Sequence, residues 1–316
     1  MKRLFLQLFF LLFIVLASIL IFARFCQREL DPQNYLSVIV NKHKMLEAVT
    51  SPRLILIGDS LLVFGVDGEE MEKELGVPTV NMGLHAAFGL PFIFKEILPD
   101  IKKGDTVVAI FHYYPSDKDI NNGVVCHALD FYPEMYKRLE LNYFLESKLK
   151  ITCDIKKIRR FILNKIYRSD MKIQTKQDNK NFDYKSWAFN DYGDIYSDLY
   201  MTSSIKFSSN NVTKFDLDQA KTFNLINYYQ KIFEKRGVNF FIIFPPYSKT
   251  SFERDSQVID GFSRLLHENT DVEILSTPEN SVLDGGYFFN SDYHLTSQGK
   301  EIYTKFIIDL LRSELK

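Results

Sequence analysis

Between Leu4 and Phe25 the chain is apolar on every helical face, interrupted only by Gln7, Ser18 and Arg24. A helix rises about 1.5 Å per residue, so about 20 residues of this kind cross a hydrocarbon core, and residues 1–30 read as a transmembrane anchor. The run is longer than the apolar core of a cleaved signal and no small-x-small site follows it, so the anchor reads as uncleaved. Cys26 lacks the small residues that would precede a lipoprotein site. A polar stem follows over 31–52. From Arg53 onward short continuous apolar runs alternate with amphipathic stretches. Leu54–Ile57, the segment around Val80, Thr106–Phe111, Asn239–Phe244 and Val272–Leu275 have the length of strands buried on both faces. Glu69–Leu75, Phe92–Ile101, Ala220–Arg236 and Gln298–Leu315 carry helical periodicity. This alternation predicts an α/β fold with a parallel sheet covered by crossover helices.

Residues 127–213 break that rhythm and read as a helical and loop insertion into a domain spanning 53–316. Within it, Lys148–Lys180 holds 11 Lys or Arg against 3 Asp. Such a run is most simply a solvated helical face, and alternatively a basic surface beside anionic lipid or an acidic polymer. The whole chain of 316 residues has a net charge of -1, which argues against nucleic acid as a partner. Lys2 and Arg3 before the anchor favour a cytoplasmic N-terminus and an extracytoplasmic domain, although Arg24 and Arg28 on the far side act against that orientation. Of Cys26, Cys126 and Cys153, the last two are able to pair in an oxidising compartment. No cysteine or histidine spacing suggests a metal site, and no glycine-rich phosphate loop follows the first strand, so no cofactor is expected.

The chemistry concentrates at two places. Gly58, Asp59 and Ser60 follow the first apolar run, where open α/β sheets expose their ligand sites and where a glycine allows a tight turn. A serine hydroxyl needs a base, and among six histidines His294 stands in a polar loop before the last helix, with Asp292 two residues upstream to orient it. His43 and His267 read as surface residues, and His85, His112 and His127 as structural or supporting groups.

Together these segments resemble the GDSL/SGNH hydrolase superfamily over about Arg53–Lys316. The Gly58-Asp59-Ser60 box, the Asn81-Met82-Gly83 segment, the Gly104-Asp105-Thr106 approach to the third strand, Phe244-Pro245-Pro246, and Asp292 with His294 occur in the family's order. The resemblance implies a flavodoxin-like three-layer α/β/α sandwich and a serine esterase or O-acyltransferase, similar to members associated with cell-surface polysaccharide acetylation. It implies Ser60 as nucleophile, His294 as base, Asp292 as its orienting acid, with Asn290 or a backbone carbonyl as fallback, and the Ser60 and Gly83 amides as the oxyanion hole. The substrate would be an acylated extracytoplasmic glycan or other ester. A transferase would receive its acyl group from a membrane partner. Trp187, Phe189, Tyr192 and Tyr196 would stack on sugar rings or pack within the insertion. One departure bears on activity: Phe111, His112 and Tyr113 stand where the family carries an oxyanion asparagine. A non-catalytic glycan-binding or assembly partner is therefore the alternative.

Overall fold

The computed structural model describes residues 2–27, 30–113, 123–139, 141–171, 185–195 and 219–315. Its helices are α1 (Lys2–Gln27), α2 (Ile39–Ala48), α3 (Ser60–Gly65), α4 (Gly68–Leu75), α5 (Leu90–Ile97), α6 (Gly123–Phe131), α7 (Met135–Arg138), α8 (Tyr143–Met171), α9 (Gln219–Lys235), α10 (Lys249–Asn269) and α11 (Ser297–Leu311). Its strands are β1 (Leu54–Gly58), β2 (Thr79–Asn81), β3 (Thr106–Ile110), β4 (Asn239–Ile242), β5 (Tyr247–Ser248), β6 (Glu273–Ile274) and β7 (Val282–Leu283). The chain divides into two units, Met1–Ser37 with Asn121–Ser186 and Val38–Ile120 with Trp187–Lys316.

The first unit contains α1, α6, α7 and α8. The apolar stretch Lys2–Cys26 is long and apolar enough to cross a membrane, with a mean hydropathy of 2.9 over its most apolar part, where no residue is buried, whereas Ala23 and Cys26 near its C-terminal end are covered. At its C-terminal end Phe22 and Phe25 meet Phe161 of α8 edge-on at 5.8 Å. A Cys126–Cys153 disulfide joins α6 to α8. Part of the basic run is internal to this unit, since Lys157 and Arg160 both pair with the buried carboxylate of Asp130. The rest of α8 exposes Ile151, Ile155 and Ile162.

The second unit is built on a parallel sheet in the order β2-β1-β3-β4-β6, the strands that the apolar runs predict. Every residue of β1, β2 and β3 is buried, which is why β1 and β3 show no alternation of polar and apolar positions. Successive strand residues face opposite sides. Leu54, Leu56, Val108, Ile110, Phe241 and Ile243 share a core with Tyr303, Ile307, Ile308 and Leu311 of α11. On the other face, Phe240 meets Phe94 of α5 at 5.8 Å and Phe233 of α9 at 5.1 Å. Each such side chain contributes about 1.5–3 kcal/mol on burial. At the amino ends of β1 and β3, the buried Arg53 guanidinium pairs with Asp105 at 3.2 Å.

The boundaries differ from those expected. The stem is divided between the units, because α2 turns Ile39, Lys42, His43 and Leu46 into the second unit's core. His43 is fully buried beside Glu96 and is not a surface residue. The interruption of the second unit runs over 121–186, and Trp187–Ile195 returns to it.

Candidate active site

β1 ends at Gly58, where a Cβ would stand 1.9 Å from the Ile110 carbonyl oxygen, so glycine is what lets β1 and β3 close at this point. Asp59 then caps α3, its Oδ1 accepting the Leu61 N–H at 3.0 Å. Ser60 is thereby the first residue of α3, at the carboxyl end of a central strand and beside a helix N-terminus.

His294 arrives from a tight loop before α11. The Phe289 N–H donates to the His294 carbonyl at 2.8 Å, Ser291 Oγ accepts the His294 N–H at 3.0 Å, and Thr296 caps α11 through the Gly299 N–H. The loop sets the imidazole against Phe64 of α3, ring centroids 4.3 Å apart and nearly parallel. Ser60 Oγ and His294 Nε2 are 2.9 Å apart, so the hydroxyl donates to the ring. On the other side, Nδ1–H donates to Asn290 Oδ1 at 2.8 Å. That bond selects the tautomer that leaves Nε2 basic. Burial, and then the nearby charge of His112, lower the His294 pKa to about 3, which keeps the ring neutral.

Asp292 does not hold the imidazole. Its carboxylate is buried and accepts from Ser248 Oγ at 3.3 Å, while its carbonyl accepts the Ser248 N–H at 3.2 Å. The two-residue offset in this loop directs Asp292 toward β5 and leaves Asn290 facing Nδ1. The orienting partner seen is therefore Asn290, the fallback of the sequence argument, and not Asp292.

Gly83 also differs from its expected role. Its N–H donates to Asn81 Oδ1 at 2.8 Å. A Cβ on Gly83 would stand 2.5 Å from Leu62 Cβ and 2.7 Å from the Asp59 carbonyl oxygen. Its glycine character thus serves close packing under the Ser60 turn, with its amide already engaged. Asn81 is itself fixed, donating to the Leu62 carbonyl at 3.1 Å and to Asp194 at 2.6 Å. Behind it, Lys42 Nζ donates to the carbonyls of Asn81 and Gly193 at 2.7 and 2.6 Å.

Two further histidines lie close enough to His294 for their charge to act on it. His112 follows β3, and its Nδ1–H donates to Asp59 Oδ2 while its ring lies 4.0 Å from that of Tyr293. His85 Nδ1 accepts the Ala87 N–H at 3.0 Å, which assigns its proton to Nε2. Burial lowers the His85 pKa against the opposing charge of Asp59. A histidine directly after an apolar strand was the available sequence signal for His112. Nothing in the spacing pairs it with Asp59. Of the expected aromatics, Trp187 is exposed, Phe189 lies under the Lys42 ammonium at 5.4 Å, and Tyr196 is outside the described residues. No protein-family model and no curated protein matches the chain.

Proposed function

We propose that this chain is a membrane-anchored serine esterase or O-acyltransferase of the GDSL/SGNH type, acting on an acyl ester, most simply acetyl, of an extracytoplasmic glycan. The observation that carries it is the Ser60 Oγ to His294 Nε2 hydrogen bond of 2.9 Å, joined to the Nδ1 bond that leaves Nε2 as the acceptor. In this reading His294 takes the hydroxyl proton as Oγ bonds to the acyl carbon. It returns that proton to the leaving alkoxide, and water or a sugar hydroxyl resolves the acyl-enzyme. The sheet order β2-β1-β3-β4-β6 supports the flavodoxin-like sandwich that this type implies. The apolar α1 supports anchoring, and Lys2 and Arg3 before it favour an extracytoplasmic second unit. There a transferase would take its acyl group from a membrane partner.

Turnover of 4-nitrophenyl acetate by the full chain in nanodiscs, together with labelling by a fluorophosphonate, tests the reading. Ser60→Ala and His294→Ala each abolish turnover and labelling while the melting temperature stays unchanged. A fully active Ser60→Ala variant refutes it. The second reading, a non-catalytic glycan-binding or assembly partner, is favoured by the engagement of the Gly83 N–H with Asn81. It predicts glycan binding with Ser60 inert to the fluorophosphonate.

A further inference from the structure

The tetrahedral intermediate of acyl transfer needs donors aimed at its oxyanion, and the best-placed backbone candidate here, besides the Ser60 N–H, is spent on Asn81. A histidine side chain stands against Asp59 and Tyr293, the chain neighbours of Ser60 and His294. In the β1–β3 register Gly58 lies opposite Ile110, so Ser60 and His112 occupy matching places two residues beyond the paired ends of adjacent strands. The His112 ring is clamped on both sides by neighbours of the Ser60–His294 pair. Its Nδ1–H donates to Asp59, next to Ser60, and its face packs on Tyr293, next to His294. About a quarter of the His112 side chain remains exposed, while the Asp59 carboxylate is buried. No hydrogen bond occupies His112 Nε2 among the described residues.

We propose that His112, oriented by its Nδ1–H bond to Asp59, is the side-chain oxyanion donor of this site, its Nε2–H acting with the Ser60 N–H. When Ser60 Oγ bonds to the acyl carbon, the hydroxyl proton moves to His294 and the carbonyl π pair becomes the oxyanion. His112 Nε2–H donates to that oxygen and keeps its proton. As the alkoxy C–O bond breaks, the carbonyl re-forms and His294 protonates the leaving oxygen. The two imidazoles thus divide the work: His294, oriented by Asn290, moves the proton, and His112, oriented by Asp59, donates to the oxyanion. Asp59 suits that part. Burial alone would raise its pKa, but the charge and hydrogen bond of His112 and the Leu61 and His112 amides together lower it, so the carboxylate stays ionised. The same positive charge disfavours a proton on His294. The other titratable groups facing this space are His85, whose Nδ1 is engaged with Ala87, and the buried Tyr293 phenol.

This inference rests on the acyl-transfer reading, and the experiment separates the two. Turnover of 4-nitrophenyl acetate is followed across pH for the full chain and for Ser60→Ala, His112→Ala, His112→Gln and His85→Ala. His112→Ala lowers kcat by about 10²–10³-fold with little change in KM, the usual loss for one oxyanion donor. His112→Gln supplies an N–H at similar reach and restores at least a tenth of wild-type kcat. An inactive Ser60→Ala beside a His112→Ala variant within threefold of wild type overturns the inference and leaves the acyl-transfer reading standing. An equal loss in His112→Ala and His112→Gln, or a larger loss in His85→Ala than in His112→Ala, also overturns it. An active Ser60→Ala removes the reading itself.

Discussion

Replacing Asn290 isolates the least expected contact of the site, the 2.8 Å bond from His294 Nδ1–H to Asn290 Oδ1. In the ground state this is a neutral hydrogen bond at an exposed position. In the transition state His294 carries a positive charge, and a hydrogen bond to a charged group is worth about 1.5–3 kcal/mol. At about 1.4 kcal/mol per tenfold in rate, Asn290→Ala lowers kcat by about 10- to 150-fold, with KM little changed because the bond strengthens only as the proton moves. Asn290→Asp offers the same acceptor with a negative charge. It preserves kcat and raises the acid limb of the kcat/KM profile by about one unit or more, since a carboxylate favours imidazolium. Asp292 supplies the control. Asp292→Ala strands the buried Ser248 hydroxyl and costs about 1–3 kcal/mol of stability, read as a lowered melting temperature, while kcat stays within about threefold. The assay is 4-nitrophenyl acetate turnover beside thermal unfolding. A thousandfold loss in Asp292→Ala, with Asn290→Ala near wild type, refutes the assignment and restores Asp292 as the orienting acid.

Three other outcomes follow from the same geometry. His294 must be neutral to accept the Ser60 proton, and its pKa is lowered to about 3, so activity is held across neutral pH and lost only as pH falls toward that value. An acid limb at the ordinary histidine position in the kcat/KM profile contradicts this. Burial lowers Lys42 from 10.5 to about 7 against the attractions of Asp194 and Glu96. Between those values the unfolded chain holds more protons, so the Lys42 contribution to stability rises with pH over that window and is flat below it. The urea midpoint of the wild type should therefore gain on that of Lys42→Met from pH 7 to pH 9, and parallel curves count against it. Reducing the Cys126–Cys153 bond, whose partners lie 27 residues apart, removes about 3–4 kcal/mol of loop-closure stabilisation. Hydrogen exchange should then accelerate in α6 and α8 and not in β1 or α3, whereas uniform acceleration argues against the two-unit division.

β1 and β3 were legible because nothing polar interrupts their apolar runs, and each of the five runs corresponds to a strand of the main sheet. α10 was not, because its inward stripe includes Ser251 and Asp255 beside Ile259, Phe262 and Leu266. Asp255 is tolerated there because the Tyr247 hydroxyl donates to it at 2.8 Å. α2 escaped for the same reason: Lys42 and His43 share its buried face with Ile39 and Leu46, so a helix packed into the core read as a polar stem. Periodicity finds apolar faces. A buried face satisfied by specific hydrogen bonds looks like surface until its partners are known.

The same distinction governs the candidate site. Ser60 and His294 were legible because each stands at an element boundary that local residues mark, a glycine and an N-capping aspartate for one and the threonine cap of α11 for the other. The pairing of Asp59 with His112 was not, and Asn290 stood only as a fallback to Asp292, because these roles come from register and loop conformation. The Gly58–Ile110 pairing sets His112 level with Ser60 and brings it to the Asp59 carboxylate. A one-residue slip of β3 against β1 would turn that side chain to the other side of the sheet while leaving every local motif intact. The conversion of Asp59 from a helix cap alone to a cap that also holds an imidazole is thus a property of the sheet, and it is the sheet's register that makes His112 available to whatever Ser60 and His294 do.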